Sequence, residues 1–373
     1  MTTDTPASTD SAQADASAFE ALEERFCAGQ LTADLTYDDQ DNLRQQIIDL
    51  GPEEALETVK RNNPPALKLV ETHVEFLKNK PREAYLHSAL CALSLPTSKP
   101  DDEYAKIVRK DELLTLTIRP KPIDKRDGTE HKVGVPYGPI ARLILIHIIS
   151  EAVKNKSRRV YVGRSFRGFM RRLGYKSFGG GQGGSMTRFK EQLLRLAQTE
   201  WSIVFDREDM YDGANGRGME SRSMPLTTGM VFWDALVNNE NSKEPGQGPT
   251  IEAIELSQEF YDHVIRHKVQ FNEAALIPIK KDATALDLYT FLAFRLPLIE
   301  PGERLFVPWD MLQSLLGTNY KQLRQFKAHI LKKLPQVKAV YPGARVIDLK
   351  EGLELFSSPP ALQNSGETKS LSA

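Results

Sequence analysis

The pattern of apolar and polar positions predicts short helices in the first third of the chain. Apolar residues recur there at three- and four-residue spacing, and Gly51 and several prolines interrupt them. The predicted helices are 41–50, 52–61, 66–77 and 82–93. Residues 113–118 alternate leucine with threonine, which predicts a strand that Pro120 ends. These elements indicate a helical arm that reaches residue 112.

A first module is predicted from about residue 135 onward. Its elements are helix 139–154, strand 159–162, helices 165–173 and 185–198, and strands 201–205 and 230–233. We expect Ser165 to cap the second helix and Gly174 to end it, and the glycine-rich run 179–184 separates that helix from the third. Helix, strand, helix, turn, helix, strand, strand is the order of elements in a winged-helix fold.

The same order recurs after a stretch rich in Asn, Pro and Gly at 238–250. The elements of this second module are helices 257–267 and 284–295, strand 304–307, helices 308–316 and 319–334, and strands 337–341 and 345–349. Thr318 or Asn319 is expected to cap the last helix, and Pro342-Gly343 to form the turn of a wing.

Together these patterns predict an α+β fold, predominantly helical, with two tandem winged-helix domains, a helical N-terminal arm and a disordered N-terminus. The first 18 residues are rich in Thr, Ser, Ala and Asp with almost no large apolar side chains, which is typical of disorder. The predicted division is 1–18 acidic tail, 19–112 arm, 113–237 first winged-helix domain, 238–250 linker, 251–358 second winged-helix domain and 359–373 disordered C-terminal tail.

Charge is distributed very unevenly although the net charge is only −1. Residues 1–60 contain 14 acidic and three basic residues. Residues 131–200, by contrast, contain 14 basic and three acidic residues, and residues 304–350 contain nine basic and two acidic residues. Each basic block coincides with one predicted module. This distribution favours binding to a polyanion such as DNA, because neutralised phosphates release their counterions.

The last helix of each module has an apolar face and an opposite face rich in basic and amide side chains, as a helix in a DNA major groove requires. In helix 185–198, Arg188 and Arg195 are expected to project outward with Gln192 between them. The candidate DNA-binding residues are Ser185, Thr187, Arg188, Gln192 and Arg195 in the first module, and Asn319, Lys321, Arg324, Gln325, Lys327 and Lys332 in the second. An ordinary solvated surface helix is the alternative for each one.

The residues give no support to an enzyme, a metal site or a cofactor site. Gly179, Gly181 and Gly184 match a dinucleotide-binding pattern, but no strand precedes them. His263 and His267 are four residues apart on a predicted helix, and a surface or phosphate-facing pair is the favoured interpretation because the glutamate of a zinc-protease motif is absent. We therefore expect no catalytic residues, no metal, no cofactor and no small-molecule substrate.

Two cysteines without metal-type spacing, Cys27 and Cys91, favour a cytoplasmic protein without a disulfide framework. No apolar run reaches the roughly 18 residues that span a bilayer. Neither a secretory signal nor a membrane partner is expected.

Five stretches resemble the RepA family of plasmid replication initiators of broad-host-range Gram-negative plasmids. They are 87–96 (HSALCALSLP), 133–146 (VGVPYGPIARLILI), 156–173 (KSRRVYVGRSFRGFMRRL), 284–294 (TALDLYTFLAF) and 340–353 (VYPGARVIDLKEGL). The resemblance covers about three-quarters of the chain. It implies tandem winged-helix domains that bind direct repeats (iterons) in double-stranded plasmid origin DNA. It also implies opening of the adjacent duplex and recruitment of host initiator and helicase proteins.

The resemblance further implies a homodimer that can repress the initiator's own gene. Two other classes of function stay open on the sequence. A transcriptional repressor would need only one dimeric winged helix at an operator, and a nuclease or relaxase would need metal ligands or an activated tyrosine. The acidic N-terminal segment is interpreted as a solvating tail, with contact to host proteins as the alternative.

Overall fold

The computed structural model describes residues 37–62, 64–111, 114–124, 128–175, 185–212, 216–233, 250–316 and 320–362. Within these stretches, helices alternate with short antiparallel sheets. Four predicted features lie outside them: the N-terminal tail, the glycine-rich run 179–184, residues 238–249 of the linker, and residues 363–373 of the C-terminal tail.

Three helices form the N-terminal arm, as the sequence predicts. They are α1 (Tyr37–Leu50), α2 (Pro52–Asn62) and α3 (Leu67–Leu77). Ile47, Ala55, Val70 and Val74 make a small apolar cluster between them. Because this cluster is small, the arm depends on further contacts with the rest of the chain for its position.

The predicted helix 82–93 is wrong in its first half. Residues Glu83–His87 form strand β1, and only Ser88–Ala92 form a helix, α4. β1 pairs antiparallel with a strand at Lys268–Asn272, with Ala84 opposite Phe271. Both of these side chains are fully buried. The pairing partner is distant in sequence, so local spacing could not reveal the strand.

A four-stranded antiparallel sheet flanks the first module. Its strands are β2 (Ile107–Lys110), β3 (Leu114–Pro120), β7 (Thr199–Asp212) and β8 (Gly216–Pro225), in that order across the sheet. A separate two-residue pair, β4 (Ile123–Asp124) with β5 (Glu130–His131), follows β3. Leu116 and Ile118 of β3 lie opposite Ile203 and Trp201 of β7, and all four are buried. The predicted strands 113–118 and 201–205 are therefore confirmed, and the second is longer than predicted. The predicted place of strand 201–205 in the sheet of the first module is wrong, because β7 pairs with β3 and β8 instead.

The first module contains helices α5 (Gly138–Asn155), α6 (Val162–Arg172) and α7 (Ser185–Ala197). Its sheet contains β6 (Arg159–Tyr161), β9 (Thr227–Trp233) and β10 (Thr250–Leu256), ordered β6-β10-β9. The three helices match those predicted, except that α6 begins at Val162. Ser165 therefore cannot be its cap, and the prediction of that cap is wrong. Strand β10 was not predicted.

A short connection joins the two modules. It consists of α8 (Gln258–His267), β11 (Lys268–Asn272) and α9 (Glu273–Ile279). Ser257 caps α8 and Asn272 caps α9, each by accepting a hydrogen bond from a backbone N–H of the helix. β11 is the partner of β1, so this connection holds the strand that follows the arm.

The second module repeats the element order of the first, except that β7 and β8 lie between α7 and β9 in the first module and have no counterpart in the second. Its elements are α10 (Ala283–Arg295), β12 (Arg304–Pro308), α11 (Trp309–Leu315), α12 (Leu323–Val340), β13 (Val346–Asp348) and β14 (Gly352–Phe356). Its sheet is ordered β12-β14-β13. In both modules the first strand therefore pairs with the last strand, and the last pairs with the one before it.

The end of the second module differs from the prediction in three ways. Helix α12 begins at Leu323, so a cap at Thr318 or Asn319 is wrong, and both residues lie outside the described stretches. The helix continues through Pro335 to Val340, so the predicted strand 337–341 is wrong. Burial of Val337 and Val340 outweighs the hydrogen bond that the proline cannot make. The hairpin turn then falls at 349–351, where the Leu349 N–H donates to the Gly352 carbonyl at 2.8 Å, and not at Pro342-Gly343.

One apolar core extends from Ala84 to Leu355 and includes both modules. At its centre are α5, most of whose residues are buried, and α10, whose residues are almost all buried. The division of the chain into separate domains stays a prediction, and the core is continuous across the predicted boundaries. The arm is attached to the second module: Glu75 pairs with Lys280 at 3.2 Å, and Arg44 donates to the Ala339 carbonyl at 2.9 Å.

Candidate nucleic-acid interface

Helix α12 presents a row of polar side chains to solvent. Lys321, just before the helix, and Arg324, Gln325 and Lys332 within it are exposed, as predicted. Arg324 and Gln325 lie in the first turn. Lys332 is eight residues beyond Arg324, or about 12 Å along the axis. The row can therefore contact groups more than one base pair apart on a polyanion.

The opposite face of α12 is buried in the core. Phe326, Ile330, Leu334 and Val337 are at most 4% exposed. This confirms the predicted apolar face. Because these side chains anchor one face of α12 in the core, the opposite face with its exposed row of polar side chains points toward solvent.

Polar contacts fix α12 to the start of α10. The Lys333 ammonium pairs with Asp282 at 2.5 Å, and Asp282 is also the residue that caps α10. The His329 ring lies 3.3 Å from the Thr284 hydroxyl. These contacts hold the middle of α12 and leave its first turn available for a ligand.

Lys327 is half-buried and differs from the other predicted contact residues of α12. Its ammonium donates to the Lys350 carbonyl at 2.8 Å and lies 5.2 Å from the centre of the Trp309 ring. The Trp309 indole N–H in turn donates to the Leu349 and Lys350 carbonyls, each at 3.2 Å. Lys327 therefore joins α12 to the hairpin turn, where the Lys350 side chain is 93% exposed.

Helix α7 of the first module keeps only part of its predicted interface. Thr187 and Arg188 are exposed, as predicted, and the side chain of Ser185 lies outside the described part of the chain. The outward projection predicted for Gln192 and Arg195 is wrong, since they are only 4% and 8% exposed. In this arrangement neither can reach a nucleic acid.

Arg195 is held inside by partners from distant segments. It pairs with Glu103 and, at 2.9 Å, with Glu191, and it donates to the Val135 carbonyl at 3.1 Å. Its guanidinium also lies 5.1 Å from the centre of the Tyr137 ring. These contacts hold the segment that leads into α5.

Gln192 also holds the segment that leads into α5, because its side-chain oxygen accepts a hydrogen bond from the Tyr137 N–H at 2.9 Å. The periodicity of α7 could not predict either burial, since the covering segment is distant in sequence. Helical spacing shows which residues share a face, but it does not show which long-range segment covers that face.

His263 is also placed differently from the prediction of a surface pair. It is 3% exposed, and its Nδ1 lies 2.6 Å from Nε2 of His87 with the two rings stacked. Burial, together with the nearby His263 and His267, lowers the pKa of His87 to about 3. His267 is exposed, as predicted.

Among the residues that the structure describes, no group of three or more His, Cys, Asp or Glu side chains is arranged to hold a metal ion. Cys91 is completely buried, and burial raises the pKa of its thiol. No helix in the described stretches is long and apolar enough to cross a membrane.

Residues 135–311 match the family described as "Plasmid encoded RepA protein". The chain contains the RepA protein domain. This confirms the family resemblance noted in the sequence, and three of the five similar stretches fall wholly or largely inside the matched range. No curated protein sequence matches the chain.

Two solved structures are similar to the chain at 10% sequence identity. The crystal structure of selenomethionine derivatives of domains 2 and 3 of RctB aligns with a TM-score of 0.44, covering 74% of this chain and 99% of that chain. A second crystal structure of RctB domains 2–3 aligns with a TM-score of 0.39, covering 72% of this chain and 94% of that chain.

The RepA domain begins at Val135, the residue whose carbonyl accepts from Arg195. It contains all three helices of the first module and ends at Met311, within α11. The exposed row of α12 therefore lies beyond the matched range. Within that range, α7 supplies the exposed candidates Thr187 and Arg188.

Proposed function

We propose that the protein is a plasmid replication initiator that binds direct repeats in the double-stranded DNA of its plasmid origin. The observation that carries this proposal is the exposed row Lys321, Arg324, Gln325 and Lys332, fixed on a buried core in a chain that contains the RepA domain. Once bound, the protein promotes local duplex opening and recruits host initiator and helicase proteins.

Each module is interpreted as a winged helix. The support is the repeated element order and the shared strand order, β6-β10-β9 and β12-β14-β13. In such folds the N-terminal residues of the recognition helix contact base edges. Arg324 and Gln325 occupy that position on α12, where arginine can bond guanine and glutamine can bond adenine.

The remaining basic residues are assigned to the phosphate backbone. Lys332, farther along α12, and Lys350, on the hairpin turn, are suited to phosphate contacts that fix the position of the protein on the duplex. Arg188 and Thr187 of α7 provide the corresponding contacts of the first module. Two linked modules fit adjacent grooves of a repeat, and this favours an initiator over a repressor with a single operator.

No catalytic chemistry is proposed for the chain, and its proposed location is the cytoplasm. The sequence contains neither the G-x-S-x-G motif of hydrolases nor a His-x-His cluster of a nicking enzyme, and its cysteine content fits a reducing compartment. A metal-dependent nicking assay on supercoiled origin DNA tests this part of the proposal, and cleavage would overturn it.

The main test is affinity capture of plasmid-derived and random duplex fragments on the full chain at physiological salt, followed by sequencing. Enrichment of tandem direct repeats of roughly two helical turns would support the initiator. Enrichment of one palindrome would instead indicate a repressor. The absence of any enrichment would overturn sequence-specific binding. A variant in which Arg324 and Gln325 are both replaced by alanine should lose the enrichment, whereas Lys68→Ala on the arm should keep it.

A further inference from the structure

An open groove lies between the C-terminal end of α5 and one face of α8. It encloses about 720 Å³, within the roughly 300–1,000 Å³ range of pockets that hold drug-sized ligands. Val153 of α5 and Tyr261 and Ile265 of α8 supply its apolar lining. The groove is therefore large enough for several apolar side chains of a peptide.

Three cations border this groove. They are Lys156, Arg266 and Lys268, all exposed. None of them forms an ion pair with a carboxylate among the described residues. Arg266 and Lys268 instead donate to the backbone carbonyls of Asp262 and Ile265.

The groove also contains one carboxylate, Asp262, which accepts a hydrogen bond from the Gln258 amide at 2.8 Å. Three positive charges thus face a single negative charge. A basic border around an apolar lining favours a ligand that is both acidic and apolar, such as an amphipathic acidic peptide. A free phosphate ion would pair with the cations but would not contact the apolar lining.

The chain itself contains such a peptide. The 36 residues before α1 contain seven acidic residues and one basic residue. Within them Phe19, Leu22 and Phe26 recur at helical spacing, and Glu20, Glu23 and Glu24 lie between them. This pattern is typical of an amphipathic acidic helix. We propose that residues 19–26 bind in this groove in the same chain.

The groove lies close to β1, the strand that follows the arm. The Lys154 ammonium donates to the Glu83 carbonyl at 2.5 Å, so the end of α5 lies beside the strand that follows α3. Tyr37 is eleven positions after Phe26. Fully extended, such a length spans about 35 Å. The segment can therefore reach sites within about 35 Å of Tyr37.

The chain's own cysteines allow a direct test. Cys27 is adjacent to Phe26, and the other cysteine, Cys91, is completely buried. A thiol-reactive benzophenone can therefore be attached to Cys27 in the full-length protein. After irradiation, digestion and mass spectrometry, crosslinks are expected in peptides that contain residues 153–156 or 261–268. In a mixture of ¹⁵N-labelled and unlabelled protein, each crosslinked product should have a single isotopic composition.

A charge-reversal pair provides the specificity control. The double variant Lys156→Glu with Arg266→Glu should lower the crosslink yield about fivefold or more, because each exposed ion pair contributes up to about 1 kcal/mol. Lys106→Glu with Lys110→Glu, a matched double reversal at two other exposed lysines, should leave the yield unchanged. Three outcomes would overturn the proposal: crosslinks confined to other peptides or absent, products of mixed isotopic composition, or equal yields in the two charge variants.

Discussion

Arg142 of α5 and Asp287 of α10 form a bidentate ion pair between the central helices of the two modules. Nε lies 2.5 Å from Oδ1, and Nη2 lies 2.6 Å from Oδ2. The other guanidinium hydrogens reach the carbonyls of Leu95, Pro96 and Gly138. Both side chains are only 6% exposed. Since all five N–H groups of the guanidinium have acceptors, the pair fixes α5, α10 and the segment before α5 relative to one another.

The first prediction is that Asp287→Ala strongly destabilises the protein. It leaves a buried guanidinium without its carboxylate, which typically costs about 3–5 kcal/mol in unfolding free energy. Urea unfolding of the full chain, followed by circular dichroism, measures this loss.

An exposed ion pair provides the control for Asp287→Ala. Lys68 and Glu71 are 3.6 Å apart, with side chains 61% and 49% exposed. Glu71→Gln should change the unfolding free energy by less than about 1 kcal/mol. Similar losses in the two variants would show that Asp287 does not hold the modules together.

The second prediction concerns two arginines of α7, one buried and one exposed. Arg195→Ala should lower the unfolding free energy by roughly 2–3 kcal/mol, because charged hydrogen bonds of the buried guanidinium are lost. Arg188→Ala, at an exposed position, should change stability by less than about 0.5 kcal/mol and should weaken DNA binding. Thermal unfolding and binding to origin fragments provide the two measurements. Unchanged stability in the Arg195 variant would contradict its structural role.

Local sequence patterns predicted the regular elements whose faces pack locally. Helices α5 and α10 are apolar on most of their surface and α7 is amphipathic, and each lies within a few residues of its predicted position. The exposed row on α12 was predicted for the same reason. Since Phe326, Ile330 and Leu334 share one face, the cations at other angles had to face outward.

The errors share one cause, which is contact with distant segments. Residues 82–87 form a strand because β11 pairs with them. Arg195 is buried because Glu103 and Val135 cover it. Pro335 does not end α12, because the residues after it pack into the core. In each case a distant contact overrides a local preference, and local sequence patterns do not reveal which distant segment makes that contact.

The third prediction concerns pH. Burial is the largest cause that lowers the pKa of His73 to about 4 and of His87 and His147 to about 3. In the unfolded chain these side chains bind protons near pH 6.5. Between pH 6.5 and about 4, the unfolded chain therefore binds more protons than the folded protein. The unfolding free energy should fall as the pH is lowered through this window, by up to about 1.4 kcal/mol per pH unit for each histidine.

His73 provides the sharpest test of this pH dependence. Neither of its ring nitrogens has a hydrogen-bond partner within the described part of the chain, and Arg44 contributes to the lowered pKa. His73→Phe removes the proton-binding group and keeps an aromatic ring in the core. Urea unfolding at pH 7, 6 and 5 should give a shallower pH dependence for this variant than for the parent chain. Identical slopes would exclude His73 as a contributor.

The final prediction distinguishes base contacts from phosphate contacts on α12. Arg324→Ala should weaken binding to the captured repeat by roughly 1–3 kcal/mol and relax the preference at one base position. Lys332→Ala should weaken binding to the repeat and to scrambled duplex equally, and should reduce the slope of log K against log salt by about 1. Fluorescence anisotropy with both duplexes at several salt concentrations measures these effects, with Lys68→Ala as the control. Affinity and salt dependence like those of the parent chain in both variants would show that α12 is not the recognition helix. Base contacts would then be expected from α7.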